Sequence, residues 1–299
     1  MPRMAIEINS DEVHTPPAPS ATVMVLRDSV RGPEVLMMRR HGNSAVLGGA
    51  HVFPGGKLDP QDRTVAVGQL DQTPRRLRVA LGEPDLDDAM VVGLHLAALR
   101  ETFEECGLLL ADGADQAAMR EVAARTRSGE PFASALAALG LPLQTARLVP
   151  WSRWITPRVA SVTRSRFDTR FFLAEAPAGQ EACHDDHEAT ETLWVLPAEG
   201  LRQYWAGAID LAPPQILSLR HLAGFGSVAA VMIAARSRPP PLVEPEAFDL
   251  DGERVICYPG DPRHSVPDRA WPGPTRLTWR NRRFEPEGGL SELLLLPPG

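Results

Sequence analysis

The sequence predicts a mixed α/β sandwich, and three observations carry that prediction. Short runs with strand character recur at 21–27 (ATVMVLR), 34–39 (EVLMMR), 146–155 and 166–173 (RFDTRFFL). Segments of helical periodicity lie between and after them, the strongest over 88–110. No internal repeat is visible. Strands that alternate with helices bury their apolar faces by packing as layers.

Taken in order, residues 1–20 end in Thr15-Pro16-Pro17-Ala18-Pro19-Ser20 and read as a mobile arm. Arg31-Gly32-Pro33 separates the first two strands and marks a hairpin or a closely spaced pair. Val52-Phe53-Pro54-Gly55-Gly56 is a strand end that breaks into a glycine turn. Residues 63–87 are polar, contain Pro74 and Pro84, and read as a long loop or insertion. Asp87 or Asp88 is a natural N-cap for the helix that follows. An alanine-rich helix covers about 114–139. A turn-rich acidic segment over 180–191 leads to the strand Thr192-Leu193-Trp194-Val195. Pro213-Pro214 opens a helix over about 215–236, and Pro239-Pro240-Pro241 stops it. The expected layout is an arm at 1–20, a domain at 21–236 with its insertion, and a proline-rich extension at 237–299.

Composition narrows the function. Of 299 residues, 31 are basic and 38 acidic, a net charge of −7. That sign counts against broad binding to nucleic acid or a membrane surface, since both are polyanions. A small anionic substrate needs only a local basic pocket or a metal ion. The 29 prolines are about twice the usual ~5% and predict long, stiff connections around a short regular core. Cys106, Cys183 and Cys257 are too few and too scattered for a disulfide framework or a cysteine zinc site. The apolar tract Leu222–Ala235 is shorter than the ~20 residues of a bilayer span and reads as a buried helix. With no secretory leader visible, a soluble cytoplasmic protein is expected.

The sharpest chemical signal is Arg100-Glu101-Thr102-Phe103-Glu104-Glu105-Cys106-Gly107. On a helical wheel Glu101, Glu104 and Glu105 fall within about 100° of arc, while Val92, Leu96, Leu99, Phe103, Cys106 and Leu110 gather opposite. Three acids so close repel one another, and the helix dipole disfavours them near its C-terminus. Arg100 relieves part of this by pairing with Glu104 at i+4. A divalent cation suits the rest, since Mg²⁺ or Mn²⁺ takes hard oxygen ligands between carboxylates and phosphates. Gly107 supplies a left-handed cap. Glycines at Gly55-Gly56 allow the backbone to approach a ligand closely.

Together these segments resemble the two halves of a Nudix box, G-x5-E-x7-R-E-U-x-E-E-x-G-U with U aliphatic. Gly56 stands as its first glycine, Asp62 in place of its first glutamate, and Arg100-Glu101 through Gly107-Leu108 as its second half. The spacing departs from the pattern, with 37 residues between Asp62 and Arg100 where it has seven. The split box is similar to that of the nucleoside diphosphate-linked moiety X motif 19 subfamily. The likeness continues through Pro150–Pro157, Arg166–Phe172 and Glu191–Trp194.

The resemblance implies a Nudix α/β/α sandwich with a mixed sheet and metal-dependent hydrolysis of a pyrophosphate bond. The implied substrate is coenzyme A or an acyl-CoA. NADH, ADP-ribose and dinucleotide polyphosphates are the alternatives, as is a nucleotide-binding module without turnover. Glu101, Glu104 and Glu105, with Asp62 as an extra, are the implied metal ligands. Arg100 orients the acids, and a carbonyl near Gly55-Gly56 completes the coordination. The general base is implied to be Glu188 or Glu191, or else Glu105.

Charge alone suggests Arg39 and Arg40 as contacts for substrate phosphates, and Arg75, Arg76 and Arg78 as a lid on a 3′-phosphate. Trp151–Trp154 could flank an adenine or acyl group, with interior packing the plainer reading. Cys183-His184-Asp185-Asp186-His187 matches no closed zinc pattern and reads as an acidic loop. A small nucleotide-derived substrate is the expected partner, with a homodimer as the assembly considered.

Overall fold

The computed structural model describes residues 11–42, 44, 47–159, 165–183 and 189–295. The main sheet is built on β1 (Ala18–Ser29), an almost unbroken apolar run because both of its faces are covered. On one edge β1 pairs antiparallel with β2 (Gly32–Arg40) and, further along, with β4 (Gly55–Lys57). On its other edge it runs parallel to β6 (Phe167–Glu175), which pairs antiparallel with β5 (Val149–Ile155). β3 (His51–Val52) and β7 (Ala189–Val195) pair with β2, and β8 (Leu242–Val243) runs parallel to β5. The sheet is therefore mixed, in the order β3-β2-β1-β6-β5-β8.

Helices cover both faces. Against Ala21, Val23, Val25, Leu36 and Phe172 lies α2 (Asp88–Cys106). Asp87 caps it by accepting the Met90 N–H at 2.6 Å, and Gly107 ends it at φ +66°. Against Met24, Leu26, Met37, Phe171 and Leu173 lie α5 (Pro197–Trp205), α6 (Pro213–Leu222) and α7 (Val228–Arg236).

Several boundaries differ from the sequence reading. The expected arm ends earlier, since Ala18–Ser20 already pairs with Phe167–Thr169. The expected loop at 63–87 contains α1 (Pro74–Leu81), started by Thr73 and Pro74 and stopped by Gly82 at φ +68°. The helix expected over 114–139 is two, α3 (Gln116–Arg127) and α4 (Phe132–Ala138), because Gly129 at φ +92° and Pro131 interrupt it. The helix expected over 215–236 likewise splits at Ala223–Ser227, where Ser227 caps α7.

The proline-rich extension forms regular structure within its described residues, 237–295. It contributes β8 to the main sheet and forms a second, antiparallel sheet of β9 (Glu246–Leu250), β10 (Glu253–Cys257), β11 (Arg276–Arg280) and β12 (Arg283–Glu285). A short helix, α8 (Gly289–Leu294), follows. Tyr204 on α5 ties this sheet down, accepting the Phe284 N–H at 2.7 Å and donating to its carbonyl at 2.9 Å. No helix among the described residues is long and apolar enough to cross a membrane.

Candidate functional site

The last turns of α2 carry the acids, but not as a solvated face. Fourteen residues of α2 are buried, among them Arg100 and Glu105. The helix is enclosed on its other side by α1 and by a 3₁₀ turn at Pro60–Thr64, so the acids stand at a partly dry junction with β4.

Arg100 organises that junction. Its Nε and Nη2 donate to the two oxygens of Asp62 at 3.1 and 2.9 Å. Its Nη1 donates to Glu101 at 2.8 Å and to Glu104 at 2.9 Å, and Nη2 also reaches the Lys57 carbonyl at 3.1 Å. Burial by itself would lower the guanidinium's affinity for its proton. The bond to Asp62 and the charges of Glu101, Asp62 and Glu104 overcome that and raise it. The i+4 pairing expected from sequence is thus one of five bonds.

Asp62, the extra ligand suggested by the box, is turned toward Arg100. It is 2% exposed, both its oxygens face Arg100, and Oδ2 also accepts the Asp59 N–H at 2.9 Å. Its carboxylate is occupied in holding Arg100 and the 3₁₀ turn. Glu105 accepts the Gly55 N–H at 2.7 Å, which locks the acid helix to the glycine turn. Gly56 packs so closely that a Cβ there would stand 2.2 Å from Glu101 Oε1. Glu104 is the most exposed of the three acids on the helix, its side chain 40% accessible. Partial burial nonetheless pushes its carboxyl above the ordinary range, against the opposing pull of Arg100.

Glu101, Glu104 and Glu105 offer only hard oxygens, and the charges of Glu101 and Glu104 already gather round a cation, the Arg100 guanidinium. That donor chemistry fits Mg²⁺ or Mn²⁺. Among the described residues no three His, Cys, Asp or Glu side chains converge closely enough to hold an ion as placed. An ion seated there would share Glu104 with Arg100 or draw its carboxylate across.

A cavity of about 690 Å³ opens beside this junction. Glu101, Gly55, Gly56, Lys57 and Arg40 line its charged part, and Val52, Phe53, Trp154, Phe171 and Ile256 its apolar part. Arg40 lines the cavity, whereas its neighbour Arg39 does not, because alternate strand residues point to opposite faces. Lys57, to which the sequence analysis gives no role, also lines the cavity. Its position directly after Gly55-Gly56 was the available signal.

Other expected residues lie elsewhere. Arg75, Arg76 and Arg78 are on α1 and none lines the cavity. Arg75 and Arg76 are exposed, while Arg78 donates to the Leu86 carbonyl at 2.7 Å and pairs with Asp88. Of the three, Arg78 ties the insertion to the start of α2. Glu191 is exposed on β7, opposite Arg39, and does not line the cavity. Glu188 lies outside the described residues, as do His184–His187. The tryptophan pair divides, with Trp151 1% exposed in the core and Trp154 lining the cavity.

A family model described as the NUDT19 Nudix domain matches residues 13–222. The chain is similar to acyl-coenzyme A diphosphatase NUDT19 of Xenopus laevis, 26% identical over 65% of this chain and 61% of that protein. It is similar to the Homo sapiens protein of the same name, 30% identical over 66% of this chain and 62% of that one. The matched region thus spans about three-fifths of the length of these curated relatives. Among solved structures, a NUDIX hydrolase from Alicyclobacillus acidocaldarius matches with TM-score 0.57 and 27% identity, over 76% of this chain and 99% of that one.

Proposed function

This chain belongs to the NUDT19 Nudix domain family, and on that premise we propose that it hydrolyses the pyrophosphate bond of coenzyme A or an acyl-CoA. The products are adenosine 3′,5′-bisphosphate and phosphopantetheine or its acyl form. Water adds its hydroxyl to one phosphorus, the bridging P–O bond breaks, and the other phosphate leaves with the electron pair and takes up the proton.

The observation that carries this reading is the adjacency of the Arg100-ordered acids to a cavity that is charged in one part and apolar in another. A diphosphate joined to a long organic arm needs both characters in one site. Lys57 and Arg40 bind the phosphoryl oxygens as point charges and fork donors. Asp62 positions Arg100, and Arg100 in turn holds Glu101 and Glu104 in place. Glu101, Glu104 and Glu105 would hold Mg²⁺ or Mn²⁺, which supplies charge neutralisation on the phosphoryl oxygens and activates water. Glu105, fixed by the N–H of the cavity-lining Gly55, is the candidate for general base, and Glu191 on β7 is not among the cavity residues.

The test is a substrate panel of coenzyme A, acyl-CoAs, NADH, ADP-ribose and a dinucleotide polyphosphate with Mg²⁺ and, separately, Mn²⁺. Glu104→Gln and Glu105→Gln are run beside the parent chain. We expect adenosine 3′,5′-bisphosphate from the CoA substrates and a loss of at least ~100-fold in each variant. Full activity in both variants would remove these acids from the mechanism. Faster turnover of NADH, ADP-ribose or the polyphosphate would reassign the substrate, and no turnover anywhere would leave a nucleotide-binding module.

A further inference from the structure

One row of residues crosses the main sheet beneath the cavity. Lys57 on β4 is opposite Ser20 on β1, Ser20 opposite Thr169 on β6, Thr169 opposite Trp154 on β5, and Trp154 opposite Val243 on β8. Lys57, Ser20, Thr169 and Trp154 all line the cavity, so it runs along this row. Strands in a sheet stand ~4.8 Å apart, so three steps from β4 to β5 cover about 14 Å.

The character of the wall changes along the way. At the β4 end are Lys57, Gly56 and Glu101. At the β5 end is Trp154, and next to β8 and on β10 stand Pro245 and Ile256. Ile256 is 4% exposed and packs in one cluster with Trp154 and Phe171, so this end is firmly built. Both Pro245 and Ile256 lie beyond residue 222, where the family match ends. The extension therefore completes the cavity rather than hanging beside it.

We infer that Pro245 and Ile256 form an end wall that reads the acyl chain of the substrate; this rests on the CoA reading above. From the phosphorus to the sulfur of a phosphopantetheine arm there are about 13 bonds. At the advance per bond of an extended chain, that arm spans about 15 Å. A diphosphate held at Lys57 thus brings the sulfur over β5, three strands away. The carbons of an acyl group, attached beyond the sulfur, are the part that meets Ile256 and Pro245. Free coenzyme A ends short of the wall.

The experiment is kcat/KM for coenzyme A and for straight-chain acyl-CoAs of rising length, with the full chain, Ile256→Ala and Ile256→Phe. Thermal unfolding confirms that each variant is folded. In the parent chain kcat/KM should rise by up to roughly fourfold per buried methylene and then level off at the wall. Ile256→Phe should bring that plateau to shorter chains and cut the long-chain value by about tenfold or more, with coenzyme A within about twofold. Ile256→Ala should move the plateau to longer chains. Opposite shifts cannot come from misfolding, which lowers all substrates together. If Ile256→Phe does not fold, the shift in Ile256→Ala decides. An unchanged length profile, or parallel loss on coenzyme A and acyl-CoA, overturns the end wall while the hydrolase reading stands. A parent chain inactive on every CoA substrate overturns both.

Discussion

Beneath α2 the Arg100 guanidinium makes five hydrogen bonds, Thr102 Oγ1 donates to the Ala98 carbonyl at 2.8 Å, and Glu105 accepts from Gly55. On the opposite face of the sheet, under α6 and the extension, the pattern reverses. Trp151 Nε1, Ser152 Oγ, Ser218 Oγ, Tyr258 OH and two guanidinium nitrogens of Arg220 are buried without a hydrogen-bond partner among the described residues. The same region is dense in aromatic contacts, with Trp151, Trp154, His221, Phe225 and Trp271 packed at ring-centroid distances of 4.7 to 6.4 Å. One face is ordered by directional bonds between charges; the other is held by apolar area. Chemistry needs the first kind of order, because only directional bonds fix a carboxylate to within a fraction of an ångström.

The contrast can be broken most strongly at Arg100. Arg100→Ala leaves Asp62, Glu101 and Glu104 without their counter-charge. Denaturant unfolding should show a loss of about 3–5 kcal/mol, with activity falling by at least ~100-fold. A variant within about 1 kcal/mol of the parent would show that the network is ornamental to the fold. Next comes Gly56→Ala, whose Cβ displaces the Glu101 carboxylate. Since a side chain can give way, stability should change by under ~1 kcal/mol while kcat drops about tenfold or more.

A matched pair sharpens the comparison directly. Thr102→Val removes a buried hydroxyl that has a partner and should cost about 1 kcal/mol. Ser218→Ala removes one that has none and should be neutral within ~0.5 kcal/mol or stabilising. Equal costs by chemical denaturation would erase the distinction between the faces.

A smaller effect is tied to pH. Burial raises the Glu104 carboxyl above its ordinary 4.5. Its contribution to stability is therefore fully present where glutamate is protonated in both states, and is lost as pH rises through the raised value. Glu104→Gln should melt at a higher temperature than the parent at pH 7, and the gap should close as pH approaches 4. A gap of the opposite sign at pH 7 would mean that Arg100 outweighs burial. The smallest expected effect is at the exposed Arg75 and Arg76. Alanine at both should leave stability within ~0.5 kcal/mol and KM for coenzyme A within about twofold. A selective rise in KM would restore them to the substrate site.

Much of this was legible along the chain where the signal is local. Asp87 and Gly107 bound α2 because capping depends on neighbours a turn away. Two further features also follow from local residues. Thr73-Pro74 starts α1, and Asp251-Gly252, at φ +52° and +82°, turns the β9–β10 hairpin inside a segment whose prolines suggested irregularity. The burial of the acid face was not legible, because a helical wheel carries no information about what encloses the helix.

By itself the sequence determined the mixed α/β class, the capped acid helix, the glycine turn and the acids on one helical face, all products of spacing within a few residues. Only the tertiary structure decided that Asp62, 38 positions from Arg100, serves that arginine, and that Lys57 faces the cavity while Arg75 and Arg76 do not. It alone brought Pro245 and Ile256 to the cavity wall. Such contacts arise when strands distant in sequence pair side by side, and their register is set by burying both faces of the sheet at once.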